Sequence, residues 1–201
     1  MTGVSAVVPN WNQRDLLAGL LRNLGRQTCP PDEILVVDNG SDDDSVGEAE
    51  RLGARVIEMG GNTGFSRAEL LAIRAGGMGD VTDTHVEWRT ERSIGSKPSP
   101  LLVDGLLYNA HDAGAGNCLD AKTGEVVWEA RLGGNYTASP LYADGRIYFF
   151  NEEGATTVLK PGRTHEVLAV NELDDGFMAS PAISGQALYL RTKTHLYRIE
   201  Q

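Results

Sequence analysis

The sequence predicts two unlike parts in one chain: an α/β, Rossmann-like half-domain, then an all-β partial β-propeller of about three four-stranded blades. Three observations carry this. Apolar runs at residues 4–8 and 33–37 flank a segment whose leucines recur at helical spacing. Ser99-Pro100, Ser139-Pro140 and Ser180-Pro181 return after 40 and then 41 residues, and Tyr108, Tyr148 and Tyr189 keep the same intervals. Trp88 and Trp128 are 40 residues apart. A period of this length, with several short strands in each unit, is the signature of a propeller.

Val4 to Val8, ending at Pro9, and Glu33 to Val37, ending at Asp38, read as buried parallel strands. Between them Leu16, Leu17, Leu20, Leu21 and Leu24 form one apolar helical face, which Gly25 and the Pro30-Pro31 pair bring to a stop. A second helix over 45–52 and a third strand over 54–59 extend the unit to β-α-β-α-β. In such sheets ligands sit beyond the carboxyl ends of the strands, where Pro9-Asn10-Trp11-Asn12 and Asp38-Asn39-Gly40-Ser41 both fall.

Val7 to Asn12, Gln27-Thr28, the run from Glu33 to Asp43 and Asn62-Thr63-Gly64-Phe65 together resemble the nucleotide half of inverting family 2 glycosyltransferases of the GT-A type. The resemblance implies that Pro9, Asn10, Trp11, Asn12, Asp38, Asn39, Ser41, Asn62 and Gly64 bind the nucleotide of a nucleotide-sugar, with a divalent cation if the segment is active. A carboxylate or amide suits a base edge or ribose hydroxyl, and Trp11 suits stacking on the base. The same resemblance calls for a further strand delivering an Asp-x-Asp-like metal motif and, later, a carboxylate base. Neither is visible. Asp80 and Asp83 follow Gly-Gly-Met-Gly instead of an apolar strand and read as turn residues. No catalytic residue and no metal ligand is therefore assigned.

The repeat supplies four strands per copy: residues 99–103, 105–109, 116–119 and 125–130, then 138–142, 146–151, 155–159 and 165–170. Asp104-Gly105 and Asp144-Gly145 make the first hairpin turn of each, with Ser184-Gly185 in the third copy. Cys118 to Trp128, reading CLDAKTGEVVW, is similar to the signature of pyrroloquinoline-quinone-type propeller repeats. That resemblance gives Asp120, Gly124, Trp88 and Trp128 structural roles, the tryptophans packing between blades. Many such propellers act as scaffolds without quinone, and the calcium-binding carboxylates of a quinoprotein are not found, so pyrroloquinoline quinone is not expected.

Residues 70–94 supply the last two strands of one blade, two full blades follow, and the final copy ends after three strands at Ile199, where its fourth should begin; closed propellers of the kind it resembles often borrow that strand from the start of the repeat region. The missing blades are thus expected upstream, where the transferase-like piece stands. The boundary is expected at 67–72 without a linker, giving domains at 1–68 and 69–201, an arrangement of joined fragments.

A net charge of -10, with no stripe of Lys and Arg, excludes a general nucleic-acid surface. Cys29 and Cys118 lack metal-ligand spacing, and the four histidines lack the paired spacing of a metal-binding helix. The absence of a leader-like start and of a run of about 18 apolar residues predicts a cytoplasmic protein without a membrane partner. The expected function is a non-catalytic propeller surface fused to a truncated nucleotide-sugar-binding segment, with a protein partner or self-association through open propeller edges. The alternatives are a family 2-type glycosyltransferase and a fragment of a quinone-dependent dehydrogenase.

Overall fold

The computed structural model describes residues 5–60, 69–91 and 94–200. Contacts divide the chain into two compact units, residues 1–66 with 73–87, and residues 67–72 with 88–201.

The chain opens with β1 (Ser5–Asn10), α1 (Arg14–Leu24), β2 (Glu33–Asp38), α2 (Ser45–Arg51) and β3 (Arg55–Glu58). It continues through β4 (Leu70–Ile73), β5 (Gly79–Asp80), the short helix α3 (Thr82–His85) and β6 (Val86–Thr90). Strands β1, β2, β3 and β5 form one parallel sheet in that order, and β4 pairs with β6. Pro9 lies inside β1, although the sequence placed it just beyond the strand. Among the described residues β1 pairs with β2 alone, and on such an edge the missing proline N–H is tolerated.

The core of this unit is Leu17, Leu21, Val36, Ala49, Ala54 and Val56. Of the predicted helical face, Leu17 and Leu21 are buried while Leu16 is 73% and Leu20 42% exposed. The inward stripe therefore runs along an i, i+4 row one residue round from Leu16 and Leu20. Asp80 also departs from expectation. It lies in β5, paired alongside Val56, and Asp83 lies in α3.

The second unit contains two four-stranded antiparallel sheets and one of three strands. The first is β7 (Leu101–Val103), β8 (Leu106–Ala110), β9 (Ala115–Asp120) and β10 (Val126–Arg131). The second is β11 (Leu141–Ala143), β12 (Arg146–Phe150), β13 (Ala155–Leu159) and β14 (Val167–Glu172). The third is β15 (Ala182–Ser184), β16 (Ala187–Arg191) and β17 (Leu196–Ile199). The Asp-Gly turns have the expected geometry: Asp104 and Gly105 lie at φ 48 and 76, Asp144 and Gly145 at φ 46 and 69. Positive φ at both central residues matches the right-handed twist of a hairpin, which is why Asp-Gly recurs there.

Tyr108, Cys118, Tyr136, Ile147, Phe149 and Leu159 fill one core, and Ala138, Phe150, Phe177 and Leu190 another. A bulge between Val126 and Trp128 sets Trp128 opposite Cys118, and a corresponding irregularity sets Ala169 opposite Val158. Cys118 and Val158 are one repeat apart, so Ala169 occupies the position of Trp128 in the next blade. No helix among the described residues is long and apolar enough to cross a membrane.

Candidate functional site

At the carboxyl end of the parallel sheet, β1 and β2 bring Asn10 and Asp38 side by side. The Asn10 amide donates to Asp38 Oδ1 at 2.9 Å and to Ser41 Oγ at 3.1 Å. Ser41 donates from its backbone to Asp38 Oδ2 at 2.8 Å and from its hydroxyl to Oδ1 at 2.6 Å. Asp38 is 1% exposed, and both its oxygens accept bonds from within the loop. Its chemistry in this arrangement is to hold two loops together, with Oδ1 accepting two donors and Oδ2 one.

Asn12 joins the same lattice, its N–H reaching Ser41 Oγ at 2.8 Å and its Oδ1 accepting Asp42 N–H at 2.9 Å. Asn12 sits at φ 48, a left-handed conformation in which Asn is favoured among residues with side chains. Asn39 N–H bonds the Asn10 carbonyl at 2.8 Å. Pro9 and Trp11 are exposed, Trp11 by 52%. Asn62 and Gly64 lie outside the described residues.

A shallow polar hollow of about 340 Å³ opens beside this lattice, lined by Asn12, Gln13, Arg14, Asp15, Leu16 and Asp43. Asn12 is the one residue it shares with the predicted set. Asp43, which the sequence offers as part of a helix N-terminal charge cluster and not as a nucleotide ligand, caps two segments with its carboxylate: Ser45 N–H at 3.1 Å and Arg14 N–H at 3.0 Å. The Ser45 hydroxyl, then Arg14 N–H, hold its carboxyl below the ordinary value. The detectable signal was Asp-x-Ser at a helix start, where a side-chain acceptor meets free backbone donors.

Burial, then the charges of Asp80 and Asp38, push the Glu58 carboxyl up. The strand ends therefore present crowded negative charge. No group of three or more His, Cys, Asp or Glu side chains able to hold a metal ion occurs among the described residues.

The blade motif has a tighter geometry. The turn from Asp120 to Glu125 closes through Gly124 N–H on the Asp120 carbonyl at 2.8 Å and Asp120 N–H on the Glu125 carbonyl at 2.9 Å. The Trp88 indole N–H donates to the Ala121 carbonyl in that turn at 3.1 Å. Gly124, at φ 73, lies directly under the indole, and a Cβ there would stand 2.6 Å from Trp88 Cδ2. One blade further, Trp128 Nε1 donates to the Gly162 carbonyl at 3.3 Å, and Gly162 N–H donates to the Tyr108 hydroxyl at 2.8 Å. Each tryptophan of one blade is thus clasped by the turn between the third and fourth strands of the next. Arg163 ties the two successive turns by its 3.0 Å ion pair with Asp120, whose carboxyl that guanidinium holds low.

The Ser-Pro repeat joins blades too, a role not read from the sequence. Ser99 N–H donates to the Ser139 hydroxyl at 2.9 Å, and Ser139 N–H to the Ser180 hydroxyl at 3.0 Å. The recurrence itself was the available signal: a hydroxyl at the same place in every blade can accept from the blade before it.

Comparison with known proteins separates the same two parts. Residues 5–77 match the family model described as glycosyl transferase family 2. Residues 79–192 match the model described as outer membrane protein assembly factor BamB. Among solved structures, BamB from Moraxella catarrhalis is similar at 18% identity and a TM-score of 0.53, over 67% of this chain and 41% of that one. This likeness shows the propeller-type fold. A europium-containing methanol dehydrogenase is similar at 15% identity and a TM-score of 0.42, over 52% of this chain and 21% of that one. A quinohemoprotein alcohol dehydrogenase from Pseudomonas putida HK5 follows at 13% and 0.38, over 47% and 16%. The chain spans about two fifths of the length of the Moraxella protein.

Proposed function

Through residues 79–192 this chain belongs to the family described as outer membrane protein assembly factor BamB, and from that membership we propose that its blades are a non-catalytic binding surface. In this reading residues 1–68 are a truncated nucleotide-sugar-binding segment and residues 69–201 a propeller fragment. In the same reading the boundary falls at 67–72, which the pairing of β4 with β6 supports.

The edge of β17 carries the proposal. Strands β9 and β13 each have a fourth strand on their outer side, whereas β17 has only β16 among the described residues. Two of its four side chains are apolar and open, Leu196 at 73% and Ile199 at 46% exposed, beside the charged Arg198. A row of unpaired backbone donors and acceptors beside such side chains recruits another strand, from a protein partner or a second copy. Hydrogen exchange tests this: amides of 196–199 gain protection as concentration rises. Exchange that is independent of concentration and partner sinks it.

A glycosyltransferase reading is favoured by the Asn10–Asp38–Ser41 lattice beneath the exposed Trp11. It would use Pro9, Asn10, Trp11, Asn12, Asp38, Asn39, Ser41, Asn62 and Gly64 for the nucleotide. Calorimetric titration with UDP- and dTDP-sugars plus manganese decides it, and no heat at millimolar ligand removes it. The compartment belongs to the same proposal. A cytoplasmic chain is recovered in the soluble fraction of expressing cells, and recovery with the outer membrane contradicts it.

A further inference from the structure

The third blade junction of this chain lacks the indole that fills the first two. Trp88 and Trp128 occupy the earlier junctions, each donating its N–H to a carbonyl of the following blade. At the same register the next blade carries Ala169, on a strand exposed along its whole length. The consequence is visible in the tyrosines of the repeat. Tyr108 is fully buried, its ring centroid 6.1 Å from that of Trp128, whereas Tyr148 is partly exposed and borders open space.

That space is a groove of about 720 Å³ between the β11–β12 and β15–β16 hairpins. Tyr142 and Tyr148 form one wall, and Ile183, Leu188 and Ile199 the other. The lining also includes the carboxylates of Asp144 and Glu200, which ion-pair with Arg146 and Arg198 and keep acceptor capacity beyond those pairs. The volume lies in the range of small-ligand sites, and the lining offers aromatic faces, apolar side chains and carboxylate and amide acceptors.

We propose that this groove receives a tryptophan side chain of a partner polypeptide, supplying in trans the indole that Trp88 and Trp128 supply to the other junctions. The occupant is chosen by the chain itself, which fills two equivalent junctions with the same group. Indole combines a large flat apolar surface with one donor, and the groove combines aromatic and apolar walls with acceptor side chains able to take that donor. The groove shares Ile199 with β17, but Leu196→Pro disables that edge at the far end of the strand without altering a groove residue, so probe binding by that variant and its mass in solution fail independently.

The test is fluorine NMR with a fluorinated N-acetyltryptophanamide as probe and the full chain as receptor. The native chain is expected to broaden the probe resonance in a saturable way, and unlabelled N-acetyltryptophanamide to reverse it, while N-acetylleucinamide does not. Ala169→Trp places the chain's own indole against Tyr148 and abolishes the broadening. Should that variant not fold by circular dichroism, Tyr142→Ala decides, because it removes an exposed wall and weakens the probe by up to about tenfold. No broadening with the native chain, equal competition by the leucine compound, or undiminished binding in the folded variants would overturn the proposal.

Discussion

Replacing Gly124 with alanine drives a methyl group into the Trp88 indole, and its cost can be separated into two parts. Gly124 sits at φ 73, so any side chain there takes a left-handed backbone at about 1–2 kcal/mol. The new Cβ also meets Trp88 Cδ2 at 2.6 Å and Cε3 at 2.7 Å, well inside contact distance. Relieving that overlap moves the indole off the Ala121 carbonyl or strains the turn, at about 1–3 kcal/mol. Gly133 supplies the control, since it has a similar φ of 83 and no atom within 4 Å of an added Cβ. Gly133→Ala pays the backbone part alone. Urea unfolding followed by tryptophan fluorescence should therefore place Gly124→Ala about 1–3 kcal/mol below Gly133→Ala. In the Trp88→Ala background the difference should shrink, because the two residues share one contact. Equal destabilisation by the two alanines, or strict additivity with Trp88→Ala, would refute the clasp.

Other outcomes follow from buried and bonded groups. Burial pushes the Cys118 thiol up to about 11, whereas Cys29 is exposed, so a thiol reagent should titrate one cysteine in the native chain and two after denaturation. Tyr108→Phe leaves Gly162 N–H without its 2.8 Å acceptor and should cost about 1 kcal/mol in urea unfolding, with little change in fold by circular dichroism. The Asp175 carboxyl is held below 3.8, first by the Thr194 hydroxyl and then by Thr192 and backbone donors. A depressed carboxyl contributes stability that is full above the unfolded value and is lost as pH falls through the folded one. Acid titration of unfolding should thus show a component below pH 3.8 that Asp175→Asn removes.

The repeat was legible where it is enforced by backbone chemistry. Asp104-Gly105 and Asp144-Gly145 recur because two successive residues at positive φ admit few side chains, and the sequence displays that demand openly. The empty junction was hidden by a shift in spacing. The tryptophans stand 40 residues apart, which points to Leu168, while pairing places Ala169 at the equivalent position. Strand β5 was illegible for a different reason: two residues, Gly79 and Asp80, hold no apolar pattern, and only pairing with β3 makes them a strand. Leu16 and Leu20 were placed on one apolar face with Leu17 and Leu21 because periodicity gives the width of an apolar stripe but not which side of it meets the sheet. At the strand ends the sequence brought Asn10, Asn12, Asp38 and Ser41 to one place, yet it could not show that their polar atoms bond chiefly to each other.

The proposed role of the β17 edge, which no described strand pairs beyond β16, is tested most directly by light scattering on size-exclusion peaks over a dilution series. Thr192 N–H bonds the His195 carbonyl at 2.9 Å, so alternation along the ladder turns Leu196 N–H away from β16 and towards the free side. The native chain is expected to show a mass above 21.6 kDa that falls on dilution, and to return to monomer when Leu196→Pro removes that outward N–H. A compact, stable monomer of the native chain at every concentration would contradict it.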